Sequence, residues 1–320
     1  MNPFILNTVQ KMKKILITPR SLTKDGDPAL DLLTRQGFEL VFSTPGKMPQ
    51  TDELIGLLPG CVGWLAGVES IPADVLETAV DLKVISRNGT GINNIDIQAA
   101  RRLEIEIMRA EGANARGVAE LTLGMILALI RAIPFSDAGM KGGSWERRKG
   151  LELQGRTLGV IGCGKIGQLV SQLALGFGMD VLACDAFPDQ HFAAAPSFRF
   201  TTLEEVLADS DIISLHCPEQ TDGRAILDRE TLRRLKLGVF LVNTARASLI
   251  DETAILEALD EGRVAGLALD VYDREPPAAS PLLSDDRVIV TPHIGGYTSE
   301  SVSRATMAAV DNLLKFLKGN

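Results

Sequence analysis

Histidine, cysteine and aromatic side chains are scarce in this chain, and each scarcity narrows what it can be. The four cysteines (Cys61, Cys163, Cys184 and Cys217) stand far apart among 320 residues and match neither a disulfide framework nor zinc-ligand spacing. That points to a reduced, cytoplasmic setting and to no metal. Cys163 and Cys184 read as small buried residues rather than reactive thiols. Basic residues number 33 against 41 acids, for a net charge of −8 with no basic run, so nucleic acid is not an expected partner. Long apolar runs are missing too. The longest, Leu121 to Ile130, is too short to span a bilayer, and no membrane partner is expected. The N-terminus has too short an apolar stretch and the wrong charge order for a signal peptide. Residues 1–12 read as a loose extension ahead of the first strand.

What is present is a chain able to build real cores, with 45% hydrophobic residues and a length that suggests about two domains. Residues 157–185 organise it. Leu158 to Ile161 suits a buried strand, and Gly162, Gly164 and Gly167 then fit G-x-G-x-x-G. Ile166, Leu169, Val170, Leu173, Ala174 and Phe177 follow as the stripe of an amphipathic helix, which Gly178 ends. A second apolar strand closes at Asp185, 18 residues after Gly167. Each part has a physical task. Gly162 permits a tight turn, Gly164 lets backbone approach a pyrophosphate, and Gly167 lets the helix pack against the sheet. The N–H groups at Lys165 and Ile166 open the helix and face the diphosphate. Asp185 would accept hydrogen bonds from the adenosine ribose hydroxyls and repel a 2′-phosphate, which favours NAD over NADP. The strand, glycine turn, helix, strand and acid together make a dinucleotide site.

Around this unit the chain alternates short strands and helices, the order of α/β domains with parallel sheets. In residues 13–110 strands are expected at 15–17, 38–42, 62–66, 83–86 and 105–108. Helices are expected between them at 28–36, 51–58, 72–79 and 97–102. Arg87-Asn88-Gly89-Thr90-Gly91 begins a loop at a strand's carboxyl end, where open α/β sheets place ligands. Residues 114–140 read as one long helix whose inner part is apolar nearly all round, so it is buried on all sides or in part by a second copy of the chain, and a homodimer element is the favoured reading. Beyond the dinucleotide unit, Thr202-Leu-Glu-Glu205 reads as a capping box. Helices are expected at 229–237 and 252–261, and polar residues recur at strand ends at 216–218, 243–246, 270 and 292–293. The last helix, 299–317, returns to the first domain.

Arg246, Glu275 and His293 carry the chemistry that the dinucleotide site calls for. Hydride transfer from a secondary alcohol needs a base for the hydroxyl proton, and histidine suits it. A neighbouring carboxylate stabilises the imidazolium; Glu275, before Pro276-Pro277, is a candidate. An arginine can hold a carboxylate by a bidentate pair. Residue chemistry alone leaves His191 and His216 equally eligible, and gives no distances.

In order along the chain stand Gly89-Thr-Gly-Ile-Asn-Asn-Ile-Asp96, Ala119-Glu-Leu-Thr122, Gly162-Cys-Gly-Lys-Ile-Gly167, Leu215-His-Cys-Pro218, Val242-Asn-Thr-Ala-Arg246, Ala268-Leu-Asp-Val-Tyr-Asp-Arg-Glu-Pro276 and Thr291-Pro-His-Ile-Gly295. With these motifs, residues 14–318 resemble the D-isomer-specific 2-hydroxyacid dehydrogenases, in their phosphoglycerate dehydrogenase-like branch. The resemblance implies a Rossmann NAD-binding domain (residues 113–298) inserted in a flavodoxin-like substrate domain (residues 1–112 and 299–320), both doubly wound. It implies that His293 is the acid/base, Glu275 its partner, and Arg246 the group that binds the carboxylate and polarises the carbonyl. Amides of Asn88 and Gly89 would help to hold that carboxylate. NAD contacts are implied for Thr90, Lys165, Ile166, Asp185, Cys217, Thr244 and the stretch through Gly295 and Gly296, with Asp270 on the nicotinamide carboxamide. A homodimer through the helix near 114–140 and a cleft that closes on substrate are implied as well.

The substrate so implied is a small 2-hydroxy or 2-oxo acid, with 3-phosphoglycerate among the candidates. Two departures bear on it. Many phosphoglycerate dehydrogenases have an arginine where this chain has Gly67-Val-Glu69, which weakens a phosphorylated substrate. Arg-Gly-Gly is Arg246-Ala-Ser248 here, a mild change. The serine-sensing domain of some relatives has no counterpart, so serine feedback through it is not expected. The alternatives are a non-catalytic NAD(H)-sensing protein on the same scaffold, and a reductase of glyoxylate, hydroxypyruvate or a phosphonate analogue.

Overall fold

The computed structural model describes residues 12–192 and 196–319; nearly all of the expected N-terminal extension lies outside the described residues. The chain forms two units. One takes the chain up to Asn114 and again from Ser299, and the other is Ala115–Thr298.

The first unit holds five parallel strands: β1 (Lys14–Ile17), β2 (Glu39–Phe42), β3 (Cys61–Ala66), β4 (Val84–Arg87) and β5 (Glu106–Arg109). Their order, β2-β1-β3-β4-β5, is the flavodoxin-like arrangement. Crossover helices cover both faces, so central strands are apolar throughout; Ile15, Leu16 and Ile17 are all buried. One core gathers Trp64, Leu54, Ile71, Val75 and Ile85. On the other face the C-terminal helix Ser299–Lys318 lays Ala309, Val310 and Leu313 against Ile15, Ile17, Leu65 and Val84. Gly63 allows this approach, since a Cβ there would lie 3.3 Å from Leu313 Cδ2.

The second unit holds seven parallel strands: β6 (Thr157–Ile161), β7 (Asp180–Cys184), β8 (Phe198–Phe200), β9 (Ile212–Leu215), β10 (Val239–Asn243), β11 (Val264–Leu269) and β12 (Val288–Val290). They run in the order β12-β11-β10-β9-β6-β7-β8. This is a Rossmann sheet extended by one strand, and its order reverses between β6 and β9, where such sheets bind ligands. Because every pairing is parallel, all the strand ends that carry the expected polar residues lie along one edge.

Three local expectations are corrected. The long helix over 114–140 is two helices, Ala115–Ile130 and Ile133–Lys141, bent by 63°. Pro134 has no N–H to give the Ile130 carbonyl and would clash with it. Ala132 turns left-handed (φ 49°), and Leu151 N donates to Ile130 O instead, at 3.0 Å. Among the described residues no single helix is long and apolar enough to cross a membrane. The apolar residues of the first helix, including Ala119, Leu123 and Ile126, join Leu158, Val160 and Val242 in the core. The helix at 229–237 is only Arg229–Leu232, after which the backbone tightens into i→i−3 turns at Arg234 and Leu235. The capping box at Thr202 is half formed. Thr202 accepts from Glu205 N at 3.3 Å, but the Glu205 carboxylate pairs with the Arg199 guanidinium. The full box lies at Asp228 and Thr231.

Candidate active site at the carboxyl edge of the second sheet

The turn after β6 meets the demands placed on its glycines. Gly162 has φ +90°, and a Cβ on it would stand 2.7 Å from Cys217 Cα, in the backbone after β9. A Cβ on Gly167 would run into the Gly162 carbonyl oxygen. A Cβ on Gly164 would meet nothing within 4 Å, so the backbone there faces open space. The helix Lys165–Gly176 begins at this point with no side chain capping it. Two glycines are thus required by packing and the third leaves room that a diphosphate fits, beside a helix N-terminus.

Asp185 ends β7 next to this turn. Its Oδ2 accepts from Cys163 N at 2.6 Å and its Oδ1 from Phe187 N at 2.8 Å. The carboxylate is therefore fixed against the glycine turn, and each oxygen keeps a lone pair for a ribose hydroxyl. Cys163, Cys184 and Cys217 surround the acid, and burial pushes their thiols up to about 11, 12 and 11. They stay protonated and unreactive near neutral pH.

At the other end of the edge, His293 follows β12. Its Nδ1 lies 2.7 Å from Glu275 Oε1 and 2.9 Å from Oε2. An ionised carboxylate only accepts, so the proton of this pair sits on Nδ1 and Nε2 carries the lone pair. Both side chains are about half exposed (52% and 42%). Such a pair adds little to stability; it orients the ring. His293 is held in the left-handed region (φ 53°), uncommon for a non-glycine residue. Asp270, 1% exposed, braces this turn. Its Oδ1 accepts from Thr291 Oγ1 (2.6 Å) and Ile294 N (2.8 Å), and its Oδ2 from Gly295 N (2.8 Å). Gly296 follows, half-buried. The turn carrying Arg246 is clamped by Asn243, which sequence reasoning missed. Asn243 Nδ2 donates to Arg246 O (2.7 Å), and its Oδ1 accepts from Ala245 N (3.0 Å). The signal was there, since an amide at a strand end is well placed to close a turn. Arg246 Nη1 donates to Ala245 O at 2.6 Å, leaving its other N–H groups for a ligand. Thr244 meets Thr122 at 3.0 Å between hydroxyl oxygens.

The other histidines are elsewhere. His191 sits in an exposed turn. The His216 ring has Nε2 at 2.8 Å from Ser214 Oγ and Nδ1 sealed from solvent, and burial holds its pKa down to about 3. It stays neutral and inward. His293 is the histidine whose ring meets a carboxylate.

In the first unit, Asn88, Gly89 and Thr90 form the loop after β4. Gly89 has φ +150°, and a Cβ there would stand 2.6 Å from Arg87 Nη1. Glu69 departs from its expected influence. Its carboxylate is 1% exposed and turned inward, bonded to Thr18 Oγ1 and to Gly67 N (2.9 Å), with the Arg87 charge nearby. It is engaged by donors from inside the unit rather than presented at the surface. Among the described residues no group of His, Cys, Asp and Glu gathers as a metal site.

A glycine turn with free space, a helix start, a ribose-side acid and a histidine–carboxylate pair on one sheet edge define a Rossmann-type dinucleotide-binding protein. The sequence profile for "D-isomer specific 2-hydroxyacid dehydrogenase, NAD binding domain" matches residues 123–295. The D-3-phosphoglycerate dehydrogenase of Methanocaldococcus jannaschii is 42% identical over 252 residues, 78% of this chain and 48% of its own. The hydroxypyruvate reductase of Thermotoga maritima is 40% identical over 275 residues, 84% of this chain and 89% of its own. The crystal structure of the TT0316 protein from Thermus thermophilus superposes with a TM-score of 0.85 at 36% identity, over 96% of this chain and 97% of that one. The chain spans about half the length of the first of these relatives. It belongs to the D-isomer specific 2-hydroxyacid dehydrogenase family, and its cofactor is NAD.

Proposed function

We propose that this protein is an NAD-dependent dehydrogenase that interconverts a D-2-hydroxy acid and its 2-oxo acid. One observation carries the reading: His293 and Glu275 meet at 2.7 Å on the sheet edge where Gly164 leaves space for a dinucleotide. When bound, NAD(H) supplies or accepts the hydride at C2 of the acid. His293 Nε2 gives the proton to the C2 oxygen on reduction and takes it on oxidation. Glu275 holds the ring and stabilises its charged form. Arg246 grips the substrate carboxylate and polarises the carbonyl. Cofactor contacts are assigned to Gly162, Gly164, Lys165, Ile166, Gly167, Asp185, Cys217, Thr244, Asp270, Gly295 and Gly296. The three bonds that Asp270 already accepts make it a brace of the His293 turn as well.

For the substrate, the hydroxypyruvate reductase is matched over most of its length, which supports hydroxypyruvate, and the D-3-phosphoglycerate dehydrogenase relative supports 3-phosphohydroxypyruvate beside it. Gly67 still leaves β3 without an arginine at its end, but the inward turn of Glu69 removes the second objection to a phosphate. A homodimer is supported by the exposed apolar side chains Ile133 (53%), Met140 (56%) and Trp145 (78%) on and beside the second of the two bent helices. A cytoplasmic setting is supported by four unpaired cysteines. The test is loss of NADH absorbance with 3-phosphohydroxypyruvate, hydroxypyruvate and glyoxylate, for the parent and for His293→Ala. Turnover in the parent that falls about 10²-fold or more in the variant, with NADH binding retained, supports the reading. Tight NADH binding without turnover of any 2-oxo acid replaces it with the sensing role.

A further inference from the structure

Tyr272 lies two residues beyond Asp270, and its ring packs against the apolar core under β11. It reaches both halves of the acid–base pair. Its hydroxyl donates to Thr291 O at 2.8 Å. That same carbonyl accepts the backbone N–H of His293 at 3.0 Å, so the phenol grips the base of the turn that carries the histidine. Its own backbone N–H points at Glu275 Oε1 from 3.4 Å. Burial above all, with the charges of Asp270 and Glu275 nearby, pushes the phenol's pKa up. The hydroxyl therefore remains a donor at any working pH.

The backbone of His293 needs such a grip. A left-handed non-glycine residue is strained and persists only where its surroundings over-determine it. Asp270 fixes the far side of the turn through Ile294 and Gly295. On the near side, Thr291 has its hydroxyl on Asp270 and its carbonyl under Tyr272.

We infer that Tyr272 is a positioning residue for the acid–base pair, its hydroxyl setting the turn of His293 against the carboxylate of Glu275. The assignment rests on the dehydrogenase reading above. Its role is to keep the ring within hydrogen-bond reach of the carboxylate, so that the imidazolium is stabilised and Nε2 points in one direction.

The decisive variant is Tyr272→Phe, which keeps the ring and removes one donor. The chain has three histidines, so the His293 imidazole can be followed by NMR in the full-length, NADH-saturated protein, with His293→Ala identifying its signal. The variant should lower the pH midpoint of that titration by about half a unit, about threefold in proton affinity. It should cut kcat for 2-oxo acid reduction about tenfold while changing NADH affinity less than about twofold. In a Glu275→Gln background the same change should shift the midpoint no further, because the two act through one contact. Superimposable titrations in parent and variant overturn the proposal, as does a lower melting temperature with an unmoved titration. A parent that turns over no 2-oxo acid overturns the dehydrogenase reading instead, and the titration still decides the role of Tyr272.

Discussion

Two glycines of the dinucleotide turn should respond to alanine in opposite ways. At Gly162 the backbone has φ +90°, and the added Cβ would stand 2.7 Å from Cys217 Cα. The left-handed backbone costs about 1–2 kcal/mol, and overpacking against backbone that cannot swing aside costs about 1–3 kcal/mol more. Gly162→Ala should therefore lose about 2–5 kcal/mol of stability, or about 4–20 °C in Tm for a unit of this size. At Gly164 the backbone is extended (φ −77°, ψ −157°) and nothing lies within 4 Å of the new atom. Gly164→Ala should leave Tm unchanged within about 1 °C, as a substitution in open space does. Cofactor binding should suffer instead. A methyl group in the diphosphate's space costs about 1–3 kcal/mol, which weakens NADH binding about 5- to 150-fold. Thermal unfolding and NADH fluorescence titration on the two variants make the comparison. A Gly164→Ala protein that binds NADH as well as the parent would refute the placement of the diphosphate at this turn.

Other consequences are as direct. Asp185→Asn keeps an acceptor for the glycine turn but removes the charge, so discrimination between NADH and NADPH should fall at least about tenfold; an unchanged ratio of the two affinities rules out the ribose assignment. His216 is held neutral by burial, with its pKa down at about 3, so below about pH 6.5 the unfolded chain takes up a proton that the folded chain refuses. Stability then falls as pH falls, by about 1.4 kcal/mol per unit between those limits, and His216→Gln should flatten the decline of Tm between about pH 6.5 and about pH 4.5; an identical slope contradicts this. On the homodimer proposed above, the parent should run as a dimer in light scattering and a Met140→Glu and Trp145→Glu double variant as a monomer; equal masses would remove that face from the interface.

Much of this was legible in the sequence because the elements that matter obey local rules. The glycine turn could be read since each glycine answers a backbone requirement, and strands such as Ile212–Leu215 could be read since parallel strands buried on both faces are continuously apolar. What escaped was short or non-local. The helix Arg20–Asp25 buries only Leu22 and so carries no apolar stripe. The strand Phe198–Phe200 is three residues long and is held by its neighbours, with Phe198 stacked edge-on between Phe192 and Phe200 at 5.0 and 5.1 Å. Pro134 breaks the helix expected over 114–140, while the apolar run on its N-terminal side carries the helical pattern up to it. At the site, residue types named His293, Glu275 and Arg246 as candidates. Only coordinates could reject His216, bring His293 to Glu275, and turn Glu69 inward onto Thr18 and Gly67.

The central claim is that this chain moves a hydride between NAD(H) and a 2-oxo acid with His293 as its acid. The most direct measurement is the initial rate of NADH oxidation with 3-phosphohydroxypyruvate, hydroxypyruvate and glyoxylate, taken on parent and His293→Ala side by side. The account predicts turnover of at least one of these acids, a loss of about 10²-fold or more in the variant, and NADH binding retained by both. Equal rates in the two proteins, or NADH binding without any turnover in the parent, would contradict it.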